Sequence, residues 1–295
     1  MKLMKSALVV LFISLMASCS SDDSSPVNEN PGPEGTYFNY KLDGETIPMT
    51  IYGGYISEDG VNVSAGAADG RSIQITFTTY GNLGDVASFS TSDPQFGSKM
   101  NFQSFTKNYF NFELISVANG QAKVNFSGKL YEDSSDLESE FSVVEGSFVV
   151  NLQEVPPVLP GAGLSATVNG NPWHEVGTSQ SSGSGGGNGT YWSLNFNSDD
   201  EYGINLYINP NTLEVGNYTF NAASTVNKVE VLKYNIALGY EEELVSTGGT
   251  FNITSKTMMG QYTVIEGTFT ATATHPGTNE VVNITNGTFK TAYDF

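Results

Sequence analysis

Tyr202-Gly203-Ile204-Asn205-Leu206-Tyr207-Ile208 and Arg71-Ser72-Ile73-Gln74-Ile75-Thr76-Phe77 each place an apolar side chain at every second position. Side chains on an extended backbone alternate between two faces, so this pattern predicts strands with one buried face. Gly249-Thr250-Phe251-Asn252-Ile253-Thr254 and Glu280-Val281-Val282-Asn283-Ile284-Thr285 repeat it. Asp43-Gly44, Asp59-Gly60, Asp69-Gly70, Asn119-Gly120, Asn169-Gly170 and Asn286-Gly287 punctuate the chain. Such pairs accept the positive φ of tight hairpin turns. No segment carries a 3.6-residue period. Short alternating strands with regular turns predict an all-β fold of antiparallel β-sandwich or barrel-like units.

The alternation occurs twice over. Phe141-Ser142-Val143-Val144-Glu145-Gly146-Ser147-Phe148 matches Tyr262-Thr263-Val264-Ile265-Glu266-Gly267-Thr268-Phe269 in residue character. Lys41-Leu42-Asp43-Gly44-Glu45-Thr46-Ile47 lines up with Thr167-Val168-Asn169-Gly170-Asn171-Pro172-Trp173. Between them lies the proline- and glycine-rich run 156–163. The reading is two related copies, 36–155 and 164–295, each long enough for its own core. The second copy continues through His275 to Phe295, whereas the first stops at Val155. The first is therefore expected either to lack a closing hairpin or to offer that sheet edge to a partner strand.

Upstream of the first copy, Lys2 and Lys5 precede the apolar run Ala7–Met16, which ends in Leu15-Met16-Ala17-Ser18-Cys19 with the chain's single cysteine. The run suits a secretory signal core and is too short to span a bilayer. Residues 1–18 read as a signal peptide and 19–35, rich in Ser, Pro, Asn and Gly, as a flexible tether of ~20–25 Å. The small residues before Cys19 resemble the lipobox of bacterial lipoproteins. Ser20-Ser21-Asp22-Asp23 resembles the acidic export signal of Bacteroidota surface lipoproteins. The openings and closings of the copies, above all Val168-Asn169-Gly170-Asn171-Pro172-Trp173, Ile265-Glu266-Gly267-Thr268-Phe269 and Ile284-Thr285-Asn286-Gly287-Thr288-Phe289, are similar to those of Bacteroidota outer-membrane lipoproteins built from tandem all-β domains of unknown function. The resemblance implies lipidation of Cys19 (palmitate included), outer-membrane anchoring and outward display. It implies no activity.

The chain carries 31 acidic and 12 basic residues, a net charge of −19. That excludes nucleic acid and anionic surfaces as partners of the folded body. Arg71 is the sole arginine, so no bidentate cluster exists. No nucleophile motif or metalloprotease motif occurs, and His174 and His275 have no obvious carboxylate partner, His275 sitting in an exposed His-Pro-Gly turn; no enzyme is expected. The glycine-rich run 181–189 leads into an alternating segment, which predicts an inter-strand loop and not a phosphate cradle. No cofactor is implied, although calcium is conceivable at Glu132, Asp133 and Asp136, with Asp199-Asp200-Glu201 and Glu241-Glu242-Glu243 as lesser clusters. All three clusters also read as solvated loops. Among the aromatics, Tyr191, Trp192, Tyr202 and Tyr207 are candidates to stack on a sugar. Tyr191 and Trp192 are adjacent and so point to opposite faces. Trp173 sits where the first copy has Ile47 and reads as core; Phe105, Tyr109, Phe110 and Phe112 form a second aromatic group. The expected role is binding or display at the surface without catalysis, glycan ahead of a surface protein as ligand. The alternatives are a structural or adhesive stalk, or a carboxylate-dependent hydrolase.

Overall fold

A computed structural model describes residues 35–91, 97–184, 190–209 and 212–294. The expected signal peptide, Cys19 and most of the expected tether lie outside them, as do residues 185–189 of the glycine-rich run. The first copy forms β1 (Tyr37–Leu42), β2 (Glu45–Ser57), β3 (Gly60–Ala67), β4 (Arg71–Thr78), β5 (Leu83–Ser90), β6 (Ser98–Met100), a single helical turn α1 (Thr106–Tyr109), β7 (Phe110–Ala118), β8 (Gln121–Tyr131) and β9 (Phe141–Glu154). The second forms β10 (Gly163–Val168), β11 (Asn171–His174), β12 (Gly177–Ser184), β13 (Thr190–Asn197), β14 (Tyr202–Ile208), β15 (Gly216–Asn221), β16 (Lys228–Asn235), β17 (Tyr240–Met259), β18 (Tyr262–Thr274) and β19 (Val281–Asp294). The fold is all-β with two sheets, one per copy.

The first sheet runs β1-β9-β2-β3-β4-β5-β6-β8-β7, and β1–β2 and β8–β9 also pair. It therefore curls back on itself, with Met100↔Tyr131 as the slenderest link. The second runs β11-β10-β19-β18-β17-β16-β14-β13-β12, with β15 alongside β17. Each wraps its own core: Val63, Ile75, Val124 and Phe148 in the first, Leu194, Leu206, Phe251 and Ile265 in the second, all fully buried.

Matching pairings show which strands correspond. The Asp43-Gly44 turn exchanges hydrogen bonds with Val143 of β9, and the Asn169-Gly170 turn does the same with Asn283 of β19. β1 pairs β9 as β10 pairs β19. The counterpart of β9 is thus β19, one strand later than the alignment of 141–148 with 262–269 suggests. The sequence misleads because Gly-Thr-Phe recurs in three neighbouring strands, at 249–251, 267–269 and 287–289. It follows that the first copy lacks no closing hairpin. β9 is flanked by β1, β8 and β2, so that edge is not open to a partner.

The recurrent glycines have a shared cause. Phe110 stands opposite Gly128, Phe126 opposite Gly146, Phe220 opposite Gly249, Phe289 opposite Gly267 and Phe269 opposite Gly287. In every pair the ring lies over the glycine, where a β-carbon would sit within 2.6 Å of a ring atom. Asn286-Gly287 is accordingly not a hairpin turn: it lies inside β19 at a bulge, with Asn286 at φ 53° and Gly287 under the Phe269 ring. A bare Cα lets the ring bury its face against backbone, and burial of such a side chain contributes about 1.5–3 kcal/mol.

At the start of each copy the volumes are exchanged. Buried Tyr40 faces Ile47, whereas small Ala166 faces Trp173; Ile47 and Trp173 are each 1% exposed. Trp173 is core, and its indole N–H donates to the Tyr202 carbonyl at 3.1 Å.

Candidate functional site

β13, β14 and β16 send Leu194, Phe196, Leu206, Val229 and Val231 into the core. The period of two then puts Tyr191, Ser193 and Asn195, Asn205 and Tyr207, and Lys228 and Glu230 on the opposite face. Register aligns them in rows: Ser193, Tyr207 and Lys228 stand side by side, as do Asn195, Asn205 and Glu230. Ser193 Oγ donates to Asn205 Oδ1 at 2.9 Å, and Asn205 Nδ2 donates to Glu230 Oε2 at 2.7 Å. Glu230 Oε1 holds the Lys228 ammonium at 2.7 Å. Ser193 and Asn205 are buried beneath longer neighbours.

Over this polar ladder the rings of Tyr191 and Tyr207 stack at 4.6 Å between centroids and 26° between planes, both half-buried. Lys228 Nζ lies 5.7 Å from the Tyr207 ring. Burial, then the hydrogen bond with Tyr191 and the charges of Glu230 and Glu243, holds the Tyr207 hydroxyl far above the ordinary phenol range. Tyr207 is therefore neutral at every physiological pH. The face combines a stacked aromatic pair with hydroxyl and amide groups and one Lys228–Glu230 ion pair.

The other candidate aromatics lie elsewhere. Trp192 turns inward against the core, 5.9 Å from the Tyr293 ring. Tyr202 packs at the core's rim, its hydroxyl 3.3 Å from Glu280 Oε1, which Lys233 grips through both carboxylate oxygens. Burial pushes the Tyr202 phenol up to about 12, and the Lys233 hydrogen bond holds Glu280 below the usual carboxylate range. In the first copy, Phe110 covers Gly128, Phe112 packs on Phe77, and Phe105 and Tyr109 pack against Tyr234. These rings are structural.

The acidic clusters hold turns and contacts. Asp133 Oδ1 accepts from the Ser135 N–H and hydroxyl, and Asp136 Oδ1 from the Glu138 N–H. The spacing that suggests calcium is that of successive Asx turns, whose acceptor reaches two residues ahead. Glu132 joins Glu140 through its backbone. Among the described residues no group of three His, Cys, Asp or Glu side chains could hold a metal ion. Asp199 is not a solvated loop residue: only 5% exposed, it accepts from Asn82 Nδ2 at 2.8 Å and from the Leu83 N–H at 3.2 Å, while its carbonyl accepts from the Lys107 N–H at 2.8 Å. Burial pushes neighbouring Asp200 up to about 6.

His275 corrects a second expectation. Its side chain is 11% exposed, not out in solvent, and it does have a carboxylate partner. Nδ1 accepts from the N–H groups of Gly277 and Thr278, so Nε2 carries the proton and donates to Glu242 Oε2 at 3.1 Å. Both ring nitrogens are thus engaged in contacts within the protein. His174 stacks on Tyr80 at 3.7 Å, tying the second copy to the first; burial lowers its pKa. Together with Asp199 and with Tyr234, which meets Phe102 at 5.8 Å, it forms a contact between the copies that no periodicity could have revealed. Comparison with protein-family models, curated proteins and solved structures finds no match.

Proposed function

We propose that this chain is a lipoprotein held by Cys19 to the outer membrane, facing outward, whose second copy binds glycan on the Tyr191–Tyr207 face without catalysing a reaction. The signal-like N-terminus and lone cysteine support the anchoring. One observation carries the binding reading: stacked, half-buried tyrosines lie over a row of serine, asparagine, lysine and glutamate on a sheet face. Tyrosine offers a sugar its apolar ring face and its hydroxyl together. The occupied nitrogens of His275 support binding over catalysis. The test is a glycan array probed with the full chain in detergent. At least one glycan class should bind, and Tyr191→Ala with Tyr207→Ala should reduce the signal at least tenfold. An array silent for the native chain removes the reading. Loss of palmitate labelling in Cys19→Ala checks the anchor.

A second reading, a display stalk, is supported by the contacts of Asp199, His174 and Tyr234 with the first copy. A stalk gains from stiffness, and these contacts supply it whether or not a ligand binds.

A further inference from the structure

Resting on the glycan reading, we infer that the Tyr191–Tyr207 face takes an uncharged polysaccharide chain lying across the strands, and rejects uronic-acid polymers. Charge decides the class. The only cation in the ladder, Lys228, is already paired with Glu230 at 2.7 Å, and Glu243 adds an anion within electrostatic reach of Tyr207. Among the described residues of this ladder a sugar carboxylate meets no unpaired cation, and the whole chain carries a net charge of −19. Like charges brought together at an interface oppose binding. Hydroxyl groups meet no such barrier: half-buried Asn195 and the two phenols both donate and accept hydrogen bonds, above a Ser193 and an Asn205 whose own bonds are made within the ladder.

Direction follows from the sheet. Neighbouring strands lie ~4.8 Å apart, close to the length of one pyranose residue, so a chain crossing the strands presents about one sugar per strand. Along that path β13, β14 and β16 offer Ser193, Tyr207 and Lys228 in one row and Asn195, Asn205 and Glu230 in the next. Tyr191 stacks on Tyr207, so the pair presents its outer ring face and edges beside these rows. A polymer can use successive strands, whereas a single sugar contacts only one.

Native electrophoresis of the full chain, in gels cast with a soluble β-glucan, xylan or mannan or with alginate or polygalacturonate, tests this. Retardation is expected in at least one neutral gel and in neither polyuronate gel at low salt, and Tyr191→Ala with Tyr207→Ala should abolish it. Glu230→Gln keeps an acceptor for Asn205 but releases the Lys228 ammonium; it should raise polyuronate affinity about tenfold. Glu243→Lys, away from the ladder's hydrogen bonds, should act in the same direction. Polyuronate retardation of the native chain that the tyrosine substitutions remove would overturn the neutral class and leave the glycan reading standing. Neutral retardation that survives those substitutions would overturn this face. No retardation in any gel, with a silent array, would remove both.

Discussion

Thr76 and Tyr207 occupy matching places in β4 and β14, as do Gln74 and Asn205; Gly60 stands where Tyr191 does, and Ala87 where Glu230 does. The hairpin ends Gly66↔Ser72 and Asn197↔Gly203 fix the correspondence, which also places the buried pair Val63↔Ile75 on Leu194↔Leu206. The same strands thus carry a plain polar face in the first copy and a tyrosine-roofed ladder in the second. The fold alone does not require the tyrosines, the lysine or the glutamate, since the first copy dispenses with all four. Their presence on one copy only is what the proposed binding face rests on.

The largest effects should come from the cores. Trp173→Ala removes the bulkiest buried side chain of the second copy and strands the Tyr202 carbonyl; it should cost about 3–5 kcal/mol. Ile47→Ala, at the equivalent place, should cost about 2–3 kcal/mol, because Tyr40 fills much of that space from the opposite strand. Denaturant melts give both values, and equal losses would break the idea that volume was exchanged between the copies. Next come the ring-covered glycines. A β-carbon on Gly267 would lie 2.2 Å from the Asn252 carbonyl oxygen and 2.6 Å from the Phe289 ring; one on Gly146 would lie 2.4 Å from the Asn39 carbonyl oxygen. Gly267→Ala and Gly146→Ala should each destabilise by about 3 kcal/mol. Gly66→Ala, which meets nothing within 4 Å, should change stability by less than about 0.5 kcal/mol. If Gly66→Ala proved as damaging as the other two, ring cover would not be the cause.

The smallest effect concerns pH. Asp200 titrates near 6 in the fold against an ordinary 3.8, so the folded chain binds the proton more tightly than the unfolded one. The stability that neutral Asp200 contributes is fully present below about 3.8 and is lost as pH rises through about 6. Glu280 and Glu242, both held low by hydrogen bonds, act in the opposite sense and lose their contribution as pH falls. The Asp200 contribution is isolated by comparing melting temperatures of the native chain and Asp200→Asn between pH 5 and 7. The native chain should gain on the variant as pH falls. A pH-independent difference would sink the assignment.

Period two was enough to assign the strands and to say that Ile73 and Ile204 face inward, because alternation is a local consequence of extended backbone; Trp173 reads as core from its match to Ile47 in the other copy. Alternation also separated Tyr191 from Trp192. It could not distinguish the outward rings that stay half-open, such as Tyr207, from Tyr202, which the Lys233–Glu280 pair claims. That outcome depends on Glu280, 78 residues along the chain. Asp199 misled for a related reason. A carboxylate in a loop has no periodicity, so nothing near Asp199 announces that Asn82 and Leu83 of the other copy will close over it. His275 was hidden by its own turn, which folds two N–H groups back onto the ring.

The rings over glycine also bear on how such a chain avoids folding wrongly. Alternation forbids a strand to slip by one residue, since every side chain would change faces, but a slip by two preserves the pattern. Here three adjacent strands carry the same Gly-Thr-Phe, so out-of-register neighbours look almost as good as the native ones by hydrophobicity. A two-residue slip, however, moves each phenylalanine off its glycine and onto a side chain that has no room for it. Five such ring–glycine pairs act as a molecular vernier, marking the one alignment in which every notch meets its tooth.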